Sequence, residues 1–387
     1  MRIGIDGRLW NETGVGRYIR NLVKNLGEID QKNEYVLFAQ ANDIDNIQFQ
    51  ISNFKFQIVK AEIRWHSLDE QVRFPSIINQ EHLNLMHFPY FSVPIFYKGK
   101  FVVTIHDLIP LHFDTGLATT LPVPFYKAKR FGYKFVLRQT VKKTGKIIAV
   151  SNATKKEVIK HLNVDPEKIV VTYEGVDEQI AYRQSHIVKD DKLSAISDKQ
   201  YFLYVGNAYP HKNLDRLIEA FQLAFARDSS SASRRTQNDI RLILVGKEDY
   251  FYRRLKEKVN DMGLMEYVLF KGEVGDGELL LLYRNAKALI MPSLMEGFGL
   301  PAVEAMANKC LVLASDIAVI REICGESAIY FNPYDVESIK GKMDLICSND
   351  LDQESKKRKM GLAKVKQFSW RKMAEETLRI YEEVERG

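Results

Sequence analysis

Hydrophobic positions along the chain fall into short uninterrupted runs separated by longer mixed stretches, and this rhythm occurs twice. In the first half the runs cover 2–6, 35–38, 56–59, 85–88, 101–105, 146–150 and 169–172. In the second they cover 201–205, 242–246, 268–270, 288–291 and 311–315. Apolar runs this short, without period-2 alternation, predict parallel strands buried on both faces. Stretches with helical spacing lie between them, at 15–26, from Trp65 to Gln71 onward, at 155–161 behind a cap at Ser151 or Asn152, and at 215–226, 278–285 and 302–307. A final amphipathic helix opens at Ser369, with Trp370, Met373, Ala374 and Leu378 on one face. Arg321 and Glu322, with Gly325, are assigned to a turn, and a capping role suits Glu322 better than a ligand contact.

Two rounds of strand and helix predict an α/β protein of two Rossmann-like domains with right-handed crossovers. The boundaries read as 1–183, a polar linker over 184–199, 200–367, and a closing segment over 368–387. The run DSSSASRRTQND at 228–239 is a low-complexity surface loop with no functional assignment.

A length of 387 residues and 45% apolar content suit two domains with sizeable cores. The three cysteines, Cys310, Cys324 and Cys347, lack metal-ligand spacing and point to a reducing compartment. No run approaches a membrane span and no secretory leader is legible, so a cytoplasmic or peripheral protein is expected. The net charge of +6 is uneven: residues 1–200 carry 28 Lys and Arg against 22 Asp and Glu, while the remainder balances. That excess predicts an anionic partner for the first half.

Candidate chemistry concentrates in MPSLMEGFGLPAVEAMA at 291–307. A strand runs into the loop Gly297-Phe298-Gly299-Leu300-Pro301 and then a helix, so that backbone N–H groups and the positive dipole end could meet a phosphate. Glu296 and Glu304 flank this loop, each placed for a polyhydroxyl group on either side of that phosphate. The same turn is ordinary in doubly wound domains, and geometry alone leaves both readings open. Lys212, after Gly206 and Asn207, is a candidate phosphate contact on another strand-to-helix loop. Gly14 and Gly16 lack the third glycine of a dinucleotide fingerprint, since Ile19 stands there; a ligand-approaching loop and a plain turn are equally open. His106 ends a strand, where ligands of open parallel sheets gather, although a lone strand-end histidine is more often structural. From Leu121 to Lys146 eight cations alternate with aromatic rings and no acid, which suits an anionic membrane surface or a solvated helix face. No recognised motif supports a nucleic-acid partner.

The 291–307 stretch resembles the Glu-x7-Glu signature of retaining glycosyltransferases of the GT-B fold, family 4. Similarity extends over nearly the whole chain, including the glycines near 14–16, TIHDLIP around His106, and Lys212-Asn213. The resemblance implies two Rossmann-like domains with parallel sheets facing across a cleft, whose closure excludes water. It also implies a closing helix that crosses back to the first, acceptor-binding domain. The implied donor is a nucleotide-diphospho-sugar, with no cofactor and no metal. Lys212 and the Gly297–Pro301 backbone would take up charge on the diphosphate, Glu304 would hold the ribose and Glu296 would orient the sugar. His106 would bind the sugar from the opposing domain, Gly14 and Gly16 would lie over the donor, and the turn ending at Val274 would cup the base. Asn207 departs from the family, which often has Arg there. Asp6-Gly7-Arg8-Leu9, Gly14-Val15-Gly16-Arg17-Tyr18 and Trp65-His66-Ser67-Leu68 are similar to bacterial mannosyltransferases of surface-polysaccharide assembly. They imply GDP-mannose as donor, and the basic aromatic stretch suits a glycan or polyprenyl-diphosphate-linked acceptor. A UDP-sugar donor, a nucleotide-sugar 2-epimerase and a non-catalytic scaffold stay as alternatives.

Overall fold

The computed structural model describes residues 1–51, 54–113, 123–176, 200–225, 240–348 and 351–387, and of 123–129 the backbone alone. The expected linker at 184–199 and the loop at 228–239 lie outside the described residues, as does Leu121 at the start of the basic stretch. The chain divides into two compact units. One comprises Met1–Leu111, Thr119–Gly175 and Ser369–Gly387, the other His112–Ala118 and Val176–Phe368.

The first unit contains β1 (Arg2–Asp6), β2 (Glu34–Ala39), β3 (Phe56–Lys60), β4 (Leu85–Phe88), β5 (Phe101–Ile105), β6 (Lys146–Ala149) and β7 (Ile169–Val171). They form one parallel sheet in the order β3-β2-β1-β4-β5-β6-β7. The second contains β8 (Tyr201–Val205), β9 (Arg241–Val245), β10 (Val268–Gly272), β11 (Ala288–Met291), β12 (Leu311–Ser315) and β13 (Ala328–Phe331). Their parallel order is β10-β9-β8-β11-β12-β13. In both sheets the strand order reverses beside the first strand, at β1/β4 and at β8/β11, and a crevice at the carboxyl ends of such a pair is where doubly wound sheets bind ligands. Every residue of β4, β5, β11 and β12 is buried, which is why these strands read as unbroken apolar runs.

The predicted strands are present, with ends shifted by a residue or two. Helices start earlier than expected, at Gly14–Ile29, Asn152–Leu162, Asp276–Asn285 and Leu300–Ala307. Arg321 and Glu322 lie inside the helix Ala318–Cys324, because Val319, Ile320 and Ile323 bury one face of it; the turn begins at Gly325, with φ of 52°. The helices Tyr250–Asp261, Val336–Cys347 and Leu351–Val365, and the four-residue edge strand β13, were not anticipated. Leu351–Val365 is polar almost throughout and buries only Gly361 and Val365, so it carries little periodic signal. Among the described residues no helix is long and apolar enough to cross a membrane.

The closing helix Trp370–Arg386 starts at the N-cap Ser369, whose hydroxyl accepts from the Lys372 N–H, and packs along the helix Gly14–Ile29 in the first unit. A Cβ on Gly175 would come within 2.2 Å of the Trp370 nitrogen, so only glycine lets the two backbones pass. Tyr381 reaches from this helix to His87 of β4 (Oη to Nδ1, 2.5 Å), and His87 Nε2 meets Thr104 Oγ1 at 2.8 Å. Burial, with a smaller contribution from the charge of His106, lowers the His87 pKa from 6.5 to about 3.

An unfolded chain protonates this histidine near pH 6.5 and the native one only near 3, so the unfolded state binds more protons between those values and stability falls as pH falls. The loss amounts to at most about 5 kcal/mol. We expect His87→Asn to give a shallower decline between pH 6.5 and 4 than the wild type in urea unfolding, whatever its absolute stability; parallel curves would refute this account.

Candidate active site

The carboxyl ends of β8 and β11 carry the two loops predicted to bind ligand. After β8, Pro210–Lys212 forms a 3-10 turn that closes at Asn213 in the left-handed region, with φ of 60°. Asparagine tolerates that conformation, and its side chain is put to use here. Asn213 Nδ2 donates to the Pro292 and Pro333 carbonyls (3.0 and 2.8 Å), while Arg216 donates to its Oδ1 (2.8 Å). The Leu294 N–H donates to the His211 carbonyl at 2.7 Å. The Lys212 loop is thereby tied to the loop after β11.

That tie brings Lys212 to Glu296. Nζ donates to Oε1 at 2.7 Å, and the Ser293 hydroxyl donates to the same oxygen at 2.6 Å. The side chains are 17% and 9% exposed, so the pair is shielded yet reachable. Burial alone would raise the Glu296 pKa. The Lys212 charge and the hydrogen bonds from Lys212 and Ser293 outweigh it and hold the carboxyl below its usual range. His211, pressed by burial and the adjacent Lys212 charge against a smaller opposing pull from Glu296, is lowered to about 4 and is neutral at pH 7. The Lys212 cation has three N–H donors; Glu296 takes one.

The loop then turns through Gly299, with φ of 95°, into the helix Leu300–Ala307, which opens without a side-chain cap. Phe298 is a core residue whose ring meets Phe368 edge-on at 5.5 Å, so only its backbone could face a ligand. Pro301 sits in the first turn and has no N–H to offer, which narrows the expected donors to Gly297 through Leu300. Glu304 lies deeper than expected: it is 2% exposed, and its Oε2 accepts from the Tyr283 hydroxyl at 2.9 Å. Gly206, with φ of 149°, donates its N–H to Val245, and its carbonyl accepts from Tyr252 at 2.8 Å. Asn207 shapes its own turn, with Oδ1 accepting from the Tyr209 N–H at 3.3 Å. Val274 is half-buried just past the bulge at Gly272.

In the first unit, Gly14 is exposed and a methyl group there would meet open space, whereas a Cβ on Gly16 would lie 2.5 Å from the Trp10 carbonyl oxygen. Gly16 is therefore required for packing. His106 is buried with both ring nitrogens occupied, Nδ1 facing Glu174 Oε1 and Nε2 facing the Pro89 carbonyl, each at 3.0 Å. Asp43-Ile44-Asp45 has the Asp-x-Asp spacing of a cation clamp, but Asp43 accepts from Asn11 at 2.5 Å in this unit. Ser293, Tyr283 and Glu174 have no role in the sequence reading, and Asn213, which enters it only as the partner of Lys212 in the resemblance, is found bridging the two loops. A Lys-Asn dipeptide closing a strand-to-helix loop, with asparagine suited to positive φ, was the available signal for Asn213.

Two doubly wound parallel sheets, with a shielded cation–carboxylate pair at the switch point of the second, define the class of a two-domain Rossmann-like α/β protein. The Glycosyltransferase Family 4 model matches residues 13–180 and the Glycosyl transferases group 1 model matches 187–364. The chain belongs to the group 1 glycosyltransferases of the GT-B fold. It is 34% identical to the O-antigen chain mannosyltransferase RfbU of Salmonella typhimurium over 63% of its length, and spans 64% of that relative, just under two thirds. It is 28% identical to O-antigen chain mannosyltransferase B of Escherichia coli over 95% of this chain and 96% of the relative. A structure of Anabaena HepE in complex with UDP and glucose shares the fold, with a TM-score of 0.76 at 16% identity over 99% of this chain and all of that one.

Removing Lys212 leaves Glu296 shielded without its cation. Lys212→Met should cost about 2 kcal/mol in urea unfolding. The double variant Lys212→Met/Glu296→Gln should lose less than the two single changes together. Simple additivity would show that the pair is not coupled.

Proposed function

We propose that this chain is a retaining hexosyltransferase that moves mannose from GDP-mannose to a glycan or polyprenyl-diphosphate-linked glycan in surface-polysaccharide synthesis. The observation that carries the reading is the Lys212–Glu296–Ser293 group beside the uncapped helix at Leu300. The two O-antigen mannosyltransferases that resemble the chain support the choice of sugar.

In this reading the acceptor hydroxyl replaces the diphosphate at the sugar's anomeric carbon, and negative charge gathers on the departing phosphate. The remaining Lys212 donors and the loop N–H groups from Gly297 to Leu300 meet that charge where it develops, without a metal. Glu296, held ionised, orients the sugar through its second oxygen. Glu304, fixed by Tyr283, addresses the ribose, and Val274 lines the base. His106, with both ring nitrogens held by Glu174 and the Pro89 carbonyl, offers the transferred sugar only its ring edge in this reading. The helix Val123–Lys143 carries the membrane part of the proposal: Phe131 and Phe135 are 74% and 46% exposed, beside the exposed cations Arg138 and Lys142.

A ligand that binds only the folded protein stabilises it by about 2.7 kcal/mol at a hundredfold excess over Kd, enough for a clear melting shift. GDP and GDP-mannose should shift the melting temperature, while UDP and ADP should not. A shift with UDP alone would discard mannose as inferred here, and conversion of donor without acceptor would indicate an epimerase. Glu296→Gln should lower transfer at least a hundredfold with the fold intact; an unchanged rate would sink the assignment. Vesicles containing phosphatidylglycerol should sediment the wild type but not Arg138→Glu/Lys142→Glu, whereas equal sedimentation of both would remove the helix from the proposal.

A further inference from the structure

The turn after β8 carries an ionisable ring whose surroundings do not match its chemistry. His211 precedes Lys212 in the turn Pro210–Lys212 and is 4% exposed. Its carbonyl is used, accepting from the Leu294 N–H. Its ring is not: Nδ1 is buried without a partner, and neither ring nitrogen is hydrogen-bonded to a described residue. What surrounds it instead are the Phe113 and Tyr209 rings, with centroids at 5.8 and 6.1 Å. A buried polar nitrogen left unpaired is destabilising, so such a group calls for a reason beyond packing.

The other buried histidines differ in this respect. His87 meets Tyr381 and Thr104, and His106 meets Glu174 and the Pro89 carbonyl, so both nitrogens of each are engaged. Whichever nitrogen of neutral His211 carries the hydrogen, the other keeps a lone pair that can take a second proton without breaking a hydrogen bond. The ionisable groups around it are Lys212 on its own turn, Glu296 on the loop after β11 and the Tyr209 phenol. Burial and the Lys212 cation keep the ring uncharged, against a weaker pull from Glu296.

Lys212 and Glu296 are bonded to each other and nearly cancel. A phosphate bound at the remaining Lys212 donors upsets that balance, because it brings negative charge with no cation attached. At about 5 Å and the effective dielectric of a protein site, one such charge favours the protonated ring about a hundredfold. Asn207, earlier in the same loop, carries no charge and commits its Oδ1 to the Tyr209 N–H.

We propose that His211 is a proton-linked binding residue for the diphosphate of a nucleotide-sugar: the ring takes one proton from solvent as the diphosphate binds beside Lys212, stands as a second cation there, and returns the proton to solvent when the nucleoside diphosphate leaves. This rests on the transferase reading above and adds to it a coupling between donor binding and protonation.

Calorimetric titration of the whole protein with GDP-mannose at pH 6, in two buffers of different ionisation enthalpy, counts the protons taken up. The diphosphate of GDP-mannose is a diester with no group that titrates between pH 5.5 and 8, and Glu296 is held below the usual carboxylate range, so neither contributes. The wild type should take up about half a proton and bind about threefold more tightly at pH 5.5 than at pH 8. His211→Asn should take up none and bind equally at both pH values. UDP-glucose should give the same readings if it is the donor that binds. A wild type that binds either nucleotide-sugar with an enthalpy independent of buffer and a Kd independent of pH would overturn the coupling and leave the transferase reading intact. Uptake that persists in both His211→Asn and His211→Gln would do the same. A chain that binds neither nucleotide-sugar would overturn the transferase reading and this inference with it.

Discussion

The second unit depends on one constraint: a lysine and a glutamate from two different loops must share a shielded position without discharging each other. Glu296 remains ionised because Lys212 and Ser293 supply what burial removes. The neighbouring His211 is neutral and adds no second positive charge beside Lys212. Asn213 holds the two loops in register by spanning from the turn after β8 to the carbonyls of Pro292 and Pro333. The pair is thus set by backbone geometry more than by its own attraction, which at this exposure is modest. In the proposed function this cation, beside a fixed carboxylate, is what meets a ligand that carries both phosphate and hydroxyl groups.

The first unit solves a comparable problem by other means. Arg8 and Glu70 are buried together beside Asp6, and Glu70 accepts from the His66 N–H. His106 is held on both sides by Glu174 and the Pro89 carbonyl. In each case a charged or titratable group near a strand end is fixed by a partner from another loop, so the shape of the rim follows from polar contacts just beneath it.

The strands were legible because parallel sheets bury both faces, and a run such as Ala288–Met291 has no other reading at that length. The glycine loop with its two glutamates was legible for the same local reason: strand, positive φ and helix start are adjacent in sequence. Partners distant in the chain were not. Glu174 lies 68 residues from His106, and Ser92 lies 22 from Glu70; composition carries no trace of such a pairing. Depth was hidden too, since a glutamate in an amphipathic helix reads alike whether it faces solvent or, as Glu304 does, a buried tyrosine hydroxyl. Glycine was ambiguous for a physical reason: Gly16 accommodates a neighbouring carbonyl and Gly14 accommodates nothing, yet both look the same in a Gly-x-Gly run.

The hydrogen bond from Tyr381 to His87 joins residues 294 positions apart in the chain. On the ribosome, the first unit emerges long before the helix that covers its sheet, and nearly the whole second unit is made in between. Until Trp370–Arg386 arrives, the helix Gly14–Ile29 lacks one of its packing partners, and the Tyr18 ring lacks its edge-on contact with Trp370. Order of synthesis and order of completion are therefore reversed: the part that begins first is finished last, and during translation it is the incomplete first unit that needs protection from aggregation.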